Sequence, residues 1–352
     1  MDRQRRPTRS RSRLFWKDKG TAMNKAMFLI KKIAGMDYAN LFRTVRTARE
    51  RSGKPAPLLF ADIVYCGFRY SAGHTDYLQA EMYDLDRSQR ESVITSGVSN
   101  SFVARFNDPE YSRFFQSKAE FNKKFSRFIK RDWMYIDGVL SRERYDEFVK
   151  DKDVIIVKPV DGSGGEGVEK LEVKDGTYEK VRSRIPCLVE EAIVQCKEIA
   201  ALNPTSVNTI RPLTFVRDDG AVMLAAYLRI GRGGVVDNFC GGGMGCPINI
   251  DTGVIEYPAV DGENNVYDVH PETGVPIVGF RIPHFDEIKR LVLEAAAVVP
   301  QVRYVGWDIA VTDYGLEMIE GNEYPSHPFF NFRAHHPDGY SLRHDFEKKM
   351  GI

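Results

Sequence analysis

The sequence predicts an α/β (α+β) fold divided into two or three lobes, and three observations predict it. A chain of 352 residues exceeds what a single hydrophobic core usually serves. Its composition, 43% hydrophobic and 28% charged, is that of a globular protein and excludes bulk disorder. Apolar residues recur at helical spacing up to about residue 150, whereas β-branched runs broken by glycine clusters follow. No apolar run approaches the roughly 20 residues of a membrane-spanning helix, since the best, Leu291 to Val299, is short and holds Glu294. A soluble protein is expected.

The chain opens on a basic leader, residues 1–36. From Met1 to Pro57 there are 16 Lys or Arg against 4 Asp or Glu, so this segment carries +12 and the remainder −11. Arg3, Arg5, Arg6, Arg9, Arg11 and Arg13 lack apolar periodicity, which reads as a disordered or partly helical tail. A solvated tail, or a chain starting at Met23 or Met27, is the simpler reading. The alternative is an arm for nucleic acid or an anionic membrane surface, helped by Met27, Phe28, Ile30 and Ile33 beside Lys25, Lys31 and Lys32. No nucleic-acid partner is expected, and peripheral membrane contact is the lesser reading. Five cysteines form an odd set without a C-x-x-C pair, and the start lacks the apolar core of a secretory signal. A reducing cytoplasm is the expected compartment. Cys240 and Cys246 have no partners at zinc spacing and read as buried or loop thiols.

Tyr38, Leu41, Phe42, Val45 and Ala48 predict a helix that Gly53, Pro55 and Pro57 end near Ser52. Residues 58–112 mix short apolar runs with a charged helix around Tyr77 to Gln89, which predicts a small α/β lobe over 37–116. Phe121, Phe125, Phe128 and Ile129 line a helix starting at Lys118, and Tyr145, Phe148 and Val149 line another. Val154 to Val157 and Val168 to Val173 then form a hairpin across a glycine-rich turn. Strands at Leu188 to Glu190, Thr209 to Val216 and Val222 to Ile230, a glycine cluster at Gly241 to Gly243, a helix from about Asp286 to Val299, and a last hairpin, Val305 to Thr312 with Leu316 to Glu320, complete the pattern.

The turn DGSGGEGV, Asp161 to Val168, satisfies G-x-G-x-x-G, a weak motif by itself. A dinucleotide fold needs a helix after the loop, but Val168, Leu171 and Val173 read as strand. A P-loop needs Lys and Ser or Thr after its last glycine, where Val168 and Glu169 stand. A protein kinase places its lysine after the loop, whereas Lys158 precedes it. What remains is either an ordinary glycine-rich hairpin or a tip whose N–H groups can close over phosphates, with Lys158 projecting toward the same phosphates.

The last hairpin is the richest in acids. A three-residue loop would pair residue 312 with 316 and set Asp308 opposite Glu320, with Asn322 of the same parity. Three oxygen ligands on one face suit Mg²⁺, and two carboxylates facing each other across strands would repel without a cation; the alternative, a solvent-facing acidic pair, sits less well inside an otherwise apolar hairpin.

These residues resemble the ATP-grasp superfamily and, within it, the sugar-transfer associated ATP-grasp proteins. The resemblance runs from about Asp62 to Phe332 on ordered motifs: SKAEFN at Lys118, VIIVKP with DGSGGEGV, LVEEAI at Glu190, NTIRPLTF at Arg211, AAYLRIG at Arg229, DNFCGGG at Asn238, and GWDIAVT with MIEGN. It implies an ATP-grasp fold with a glycine-hairpin lid lobe over 117–189 and a larger catalytic lobe over 190–352, ATP lying between them. Lys118 and Lys158 would then hold phosphates under a lid containing Ser163, Gly164 and Gly165. The linker with Glu190, Glu191 and Ile193 would receive adenine. Asp308, Glu320 and Asn322 would hold one or two Mg²⁺ ions, with Mn²⁺ as a substitute. Arg211 and Arg229 match arginines that contact the transferred phosphate and a substrate carboxylate, and Asn238 matches a loop near the acceptor.

The resemblance implies an ATP-dependent ligase that makes an acyl phosphate from an amino acid or carboxylated sugar and passes it to an amine, thiol or alcohol, in glycoconjugate or natural-product biosynthesis. A sugar or alcohol kinase on the same fold and a non-catalytic ATP-binding scaffold are the alternatives. His327, His335 and His336 follow the acidic hairpin and stand as bases for the acceptor, against structural roles in a tail.

Overall fold

The structure, a computed structural model, describes residues 37–160, 167–233, 242–325 and 327–352. The leader, the loop tip with Ser163, Gly164 and Gly165, and Asn238 lie outside the described residues.

Residues 37–116 are helical rather than α/β. The helices are α1 (Tyr38–Ser52), α2 (Ala56–Arg69), α3 (His74–Gln79), α4 (Arg87–Glu91), α5 (Ser96–Phe106) and α6 (Pro109–Gln116). Asp37 caps α1 by accepting from the Asn40 N–H, and Gly53, at φ 70°, ends it by donating to the Arg49 carbonyl. Leu41, Val45 and Ala48 of α1 pack with Leu59, Ile63 and Cys66 of α2 in a separate small core. The apolar runs around Leu58 to Tyr65 imitate strands because α2 is apolar on its outer side as well, which hides its helical period.

The next segment begins with α7 (Lys118–Lys124), shorter than the phenylalanine spacing predicts because a 3₁₀ turn, Ser126–Phe128, takes over its last positions. Four strands follow, β1 (Trp133–Ile136), β2 (Val154–Pro159), β3 (Glu169–Glu172) and β4 (Cys187–Glu191), with α8 (Arg142–Val149) and α9 (Thr177–Arg182) interspersed. They form an antiparallel sheet in the order β1-β4-β2-β3, so Lys158 on β2 lies across from β4.

After α10 (Lys197–Leu202), a second antiparallel sheet holds β5 (Thr209–Arg217), β6 (Gly220–Ile230), β7 (Met244–Pro247), β8 (Ala259–Asp261), β9 (Val266–Tyr267), β10 (Tyr304–Thr312) and β11 (Gly315–Asn322). Its order is β11-β10-β5-β6-β7-β8-β9, which makes β11 an edge. One face packs on α11 (Phe285–Ala296) through Ile210, Leu228, Ile309 and Met318 against Ile288 and Val292. The other face, with Leu213, Phe215, Tyr227 and Tyr304, meets Phe102 of α5, the turn at Phe329 and Phe330, and Phe346 of α12 (Arg343–Met350). Phe115 and Phe121 join Trp307, so α6 and α7 are fixed to the β11 edge. Gly321 permits this contact: a Cβ there would lie 2.9 Å from the Phe121 ring and 3.1 Å from that of Phe115.

Candidate active site

The site grows from an irregularity in the β10–β11 hairpin. Thr312 pairs with Gly315, so the turn holds two residues, Asp313 and Tyr314, rather than the expected three. Regular pairing from that turn would set Glu320 out of line with Asp308. A β-bulge leaves Ile319 unpaired between the Ile309–Met318 and Asp308–Glu320 pairs, and so restores the facing carboxylates. The bulge also puts Glu317 and Glu320 on the same face, which strict alternation forbids.

Arg131, just before β1, holds the bulge in place. Its guanidinium donates to the Met318 carbonyl at 2.6 Å and to the Ile319 carbonyl at 3.2 Å, acceptors that the broken ladder leaves available. It also reaches Glu317 at 2.5 Å and Glu190 at 2.9 Å, and all three side chains are buried. Glu190 also accepts from the Asn122 amide at 3.1 Å on the oxygen that Arg131 reaches, and takes Lys158 Nζ at 2.5 Å on the other. Burial alone would raise the Glu190 pKa, but Arg131 and then Lys158 outweigh it and hold the carboxyl below the usual range. Burial prevails over Arg131 at Glu317, whose pKa is raised. Glu190 therefore serves as the counter-ion of Arg131 and Lys158 in the structure. Glu191 pairs with Asp132, just before β1, its carboxylate accepting the Asp132 N–H at 3.1 Å and its own N–H donating to the Asp132 carbonyl at 2.9 Å.

On the second sheet the register sets four charged residues in a row across adjacent strands. Glu320 of β11 faces Asp308 of β10, Asp308 falls opposite Arg211 of β5, and Arg229 follows on the same face of β6. Asp308 accepts two hydrogen bonds from Arg211, one to Nε and one to Nη2 at 2.6 Å, and Arg229 Nη1 lies at 3.2 Å. Burial would raise Asp308, but the two arginines outweigh it and hold its pKa below the usual range. Burial and then the neighbouring Asp308 raise Glu320. Asn322 donates to Glu320 at 3.3 Å. Two buried acids and an amide on one face make a hard-oxygen donor set that suits Mg²⁺. Among the described residues no three His, Cys, Asp or Glu side chains converge as a metal site.

A cleft of about 510 Å³ runs along the β11 edge and brings Lys118, Lys158, Glu190, Glu320 and Asn322 together. Asp308, Arg211 and Arg229 adjoin it through Glu320. Ile193 is half-buried in the segment after β4.

The three candidate histidines separate clearly. Burial lowers His335 to about 4, and its Nε2 lies 3.0 Å from the Pro258 carbonyl. His336 is also lowered by burial and bonds the Phe330 carbonyl. His327 instead meets a buried carboxylate, Nε2 lying 2.9 Å from Asp76 of α3. Asp76 also accepts from the Gly73 N–H at 2.6 Å and from the Ser96 N–H and hydroxyl, both at 2.8 Å. Burial opposes its ionisation, but His327 and these donors lower its pKa. The segment carrying His327 crosses the sheet beside both arginines. A Cβ on Gly306 would lie 3.3 Å from Arg211 Cδ and 3.4 Å from Pro325, and one on Gly245, the partner of Arg229, would strike the Phe329 ring at 2.1 Å.

Residues 170–343 match the family model of the sugar-transfer associated ATP-grasp proteins. The matched segment, just under half of the chain, is similar to that family. The fold, with its two antiparallel sheets, is an ATP-grasp fold. Solved ATP-grasp structures match with low identity. The ligase PsnB complexed with a phosphomimetic variant of minimal precursor, Mg and ADP is 19% identical, over 65% of this chain and 54% of that one, at TM-score 0.38. A D-alanine-D-alanine ligase from Coxiella burnetii is 11% identical, over 68% and 54%, at 0.41. One from Bacillus anthracis is 14% identical, over 72% and 74%, at 0.42. The chain thus spans about half the length of the solved structures first matched. No curated protein matches it.

Sequence reasoning missed Arg131, Glu317, Asn122 and Asp76. Asn122 stood inside the SKAEFN motif, where an amide four residues after Lys118 shares its helix face. Arg131 and Asp76 act across more than 50 residues of sequence, and no local pattern marks them.

Proposed function

We propose that the protein is an ATP-dependent carboxylate ligase that works through an acyl phosphate. The row Glu320, Asp308, Arg211, Arg229 beside a cleft with two lysines carries this reading. Lys118 and Lys158 would take the nucleotide phosphates, Lys158 leaving Glu190 to do so, and Glu190 would stay compensated by Arg131. Asp308, Glu320 and Asn322 would hold Mg²⁺, whose contribution is to neutralise charge on the phosphate oxygens. Arg211 and Arg229 supply planar guanidinium groups that bind a carboxylate in two-point fashion and then the oxyanion of the tetrahedral intermediate. A substrate carboxylate oxygen attacks the γ-phosphorus and releases ADP; the acceptor then attacks the acyl carbon and releases phosphate. His327, held by Asp76, would take the acceptor's proton. Glu191 and Ile193 would border adenine, the loop with Ser163, Gly164 and Gly165 would cover the phosphates, and Asn238 would stand near the acceptor.

The acyl substrate is proposed to be an amino acid or a carboxylated sugar, because two arginines at the reacting end exceed what an alcohol requires. Protein incubated with Mg-ATP, hydroxylamine and a panel of amino acids and uronic acids should yield ADP, phosphate and a hydroxamate together. ADP with a phosphorylated sugar and no hydroxamate would establish a kinase instead.

A further inference from the structure

The outer side of α2 has no use in the site described above. Its inner side, Leu59, Ile63 and Cys66, is buried against α1 and its neighbours. Its outer side is also apolar: Leu58 is 66% exposed, Tyr65 48% and Phe60 37%. Phe42 of α1, 61% exposed, extends the patch, its ring 6.2 Å from that of Phe60. A surface helix normally carries charge on this side, and contiguous exposed apolar side chains mark a docking surface.

The charges around the patch identify the occupant. The one acid of α2, Asp62, is turned to Arg90 at 2.7 and 2.9 Å and to the Tyr77 hydroxyl at 2.7 Å, so it offers no negative charge outward. On α1, Arg43 and Arg49 are exposed and form no ion pair among the described residues, while Glu50 is neutralised by Arg46 at 2.9 Å. Residues 1–36 add 11 Lys or Arg against 2 Asp. We propose that α2, with Phe42, docks on an anionic lipid surface, its apolar side chains entering the headgroup boundary and the flanking arginines meeting lipid phosphates. Aromatic and aliphatic side chains flanked by arginine are the composition of interfacial helices, and each basic residue near such a surface adds to binding. Covering the patch with the chain's own leader would instead gather like charge without counter-ions.

Full-length protein is sedimented with vesicles of phosphatidylcholine alone and with about one third phosphatidylglycerol, at roughly 0.1 M salt, where exposed charges are still incompletely screened. It should bind the anionic vesicles only. The double variant Phe42→Ser, Leu58→Ser should bind about tenfold or more weakly while keeping its circular dichroism and melting temperature, since both side chains are exposed. Failure of the full chain to bind either vesicle would overturn the proposal and leave the patch to a protein partner. Undiminished binding by the double variant would assign attachment to the leader alone. Binding that appears only after residues 1–36 are removed would make the leader the occupant.

Discussion

Arg131 serves two buried carboxylates and two bulge carbonyls at once, so its loss removes a donor from all four and leaves two buried carboxylates short of positive charge. Arg131→Met should cost about 3–5 kcal/mol in urea unfolding, the range for a buried ion pair broken from one side; a cost under about 1 kcal/mol would refute its role. Protonation at the acidic row has a definite sign. Glu320 is raised above its usual 4.5, first by burial and then by Asp308, so a proton competes there with a cation. Mg²⁺ affinity should therefore climb as pH rises through the folded value of Glu320, as measured by titration calorimetry at stepped pH. In the metal-free protein the two acids act in opposite directions. Asp308, lowered from 3.8 by its arginines against burial, contributes stability above 3.8 that is lost as pH falls through its folded value. Glu320 contributes below 4.5 and loses that contribution as pH rises through its own. His327→Asn should lower transfer to the acceptor by about 10²- to 10⁴-fold while sparing hydroxamate formation, because hydroxylamine needs no base; equal loss of both would make His327 structural.

At the scale of elements, the edge strand β11 is held from both sides, by α6 and α7 on its apolar face and by Arg131 at its bulge. Gly321→Ala would push a methyl into the rings of Phe115, Phe121 and Trp307, at 2.9 to 3.1 Å. It should cost about 1–3 kcal/mol, seen as a lower melting temperature together with weaker ATP binding. Strands with period-two or β-branched patterns were legible in the sequence, since β2, β4, β5, β6 and β10 lie within a residue or two of their expected bounds. The bulge was not, because Leu316 to Glu320 reads equally well with regular pairing from a longer turn. The facing of Asp308 and Glu320 came out the same because the shorter turn and the extra residue compensate. Helix α2 was read as short runs because it lacks an outer polar face, the property that sets it apart as a docking surface.

Across the whole molecule, two charge-balanced networks meet at one cleft: Arg131 and Lys158 with Glu190 and Glu317, and Arg211 and Arg229 with Asp308 and Glu320. The helical lobe contributes Asp76, the buried partner of His327, from a part of the chain whose sequence carries no recognisable motif. Among the described residues no helix is long and apolar enough to cross a membrane. Deleting residues 1–22 should leave the melting temperature unchanged, because the cores described begin at Leu41; loss of folded protein would make the leader part of the fold. The central claim is that the acidic row is the metal-nucleotide site. Calorimetric titration of ATP, with and without Mg²⁺, into wild type, Asp308→Asn and Glu320→Gln tests it without knowledge of the substrate. The account predicts tight Mg²⁺-dependent binding to wild type, and an affinity gain from Mg²⁺ that falls at least tenfold in both variants. An unchanged gain in either variant would contradict it.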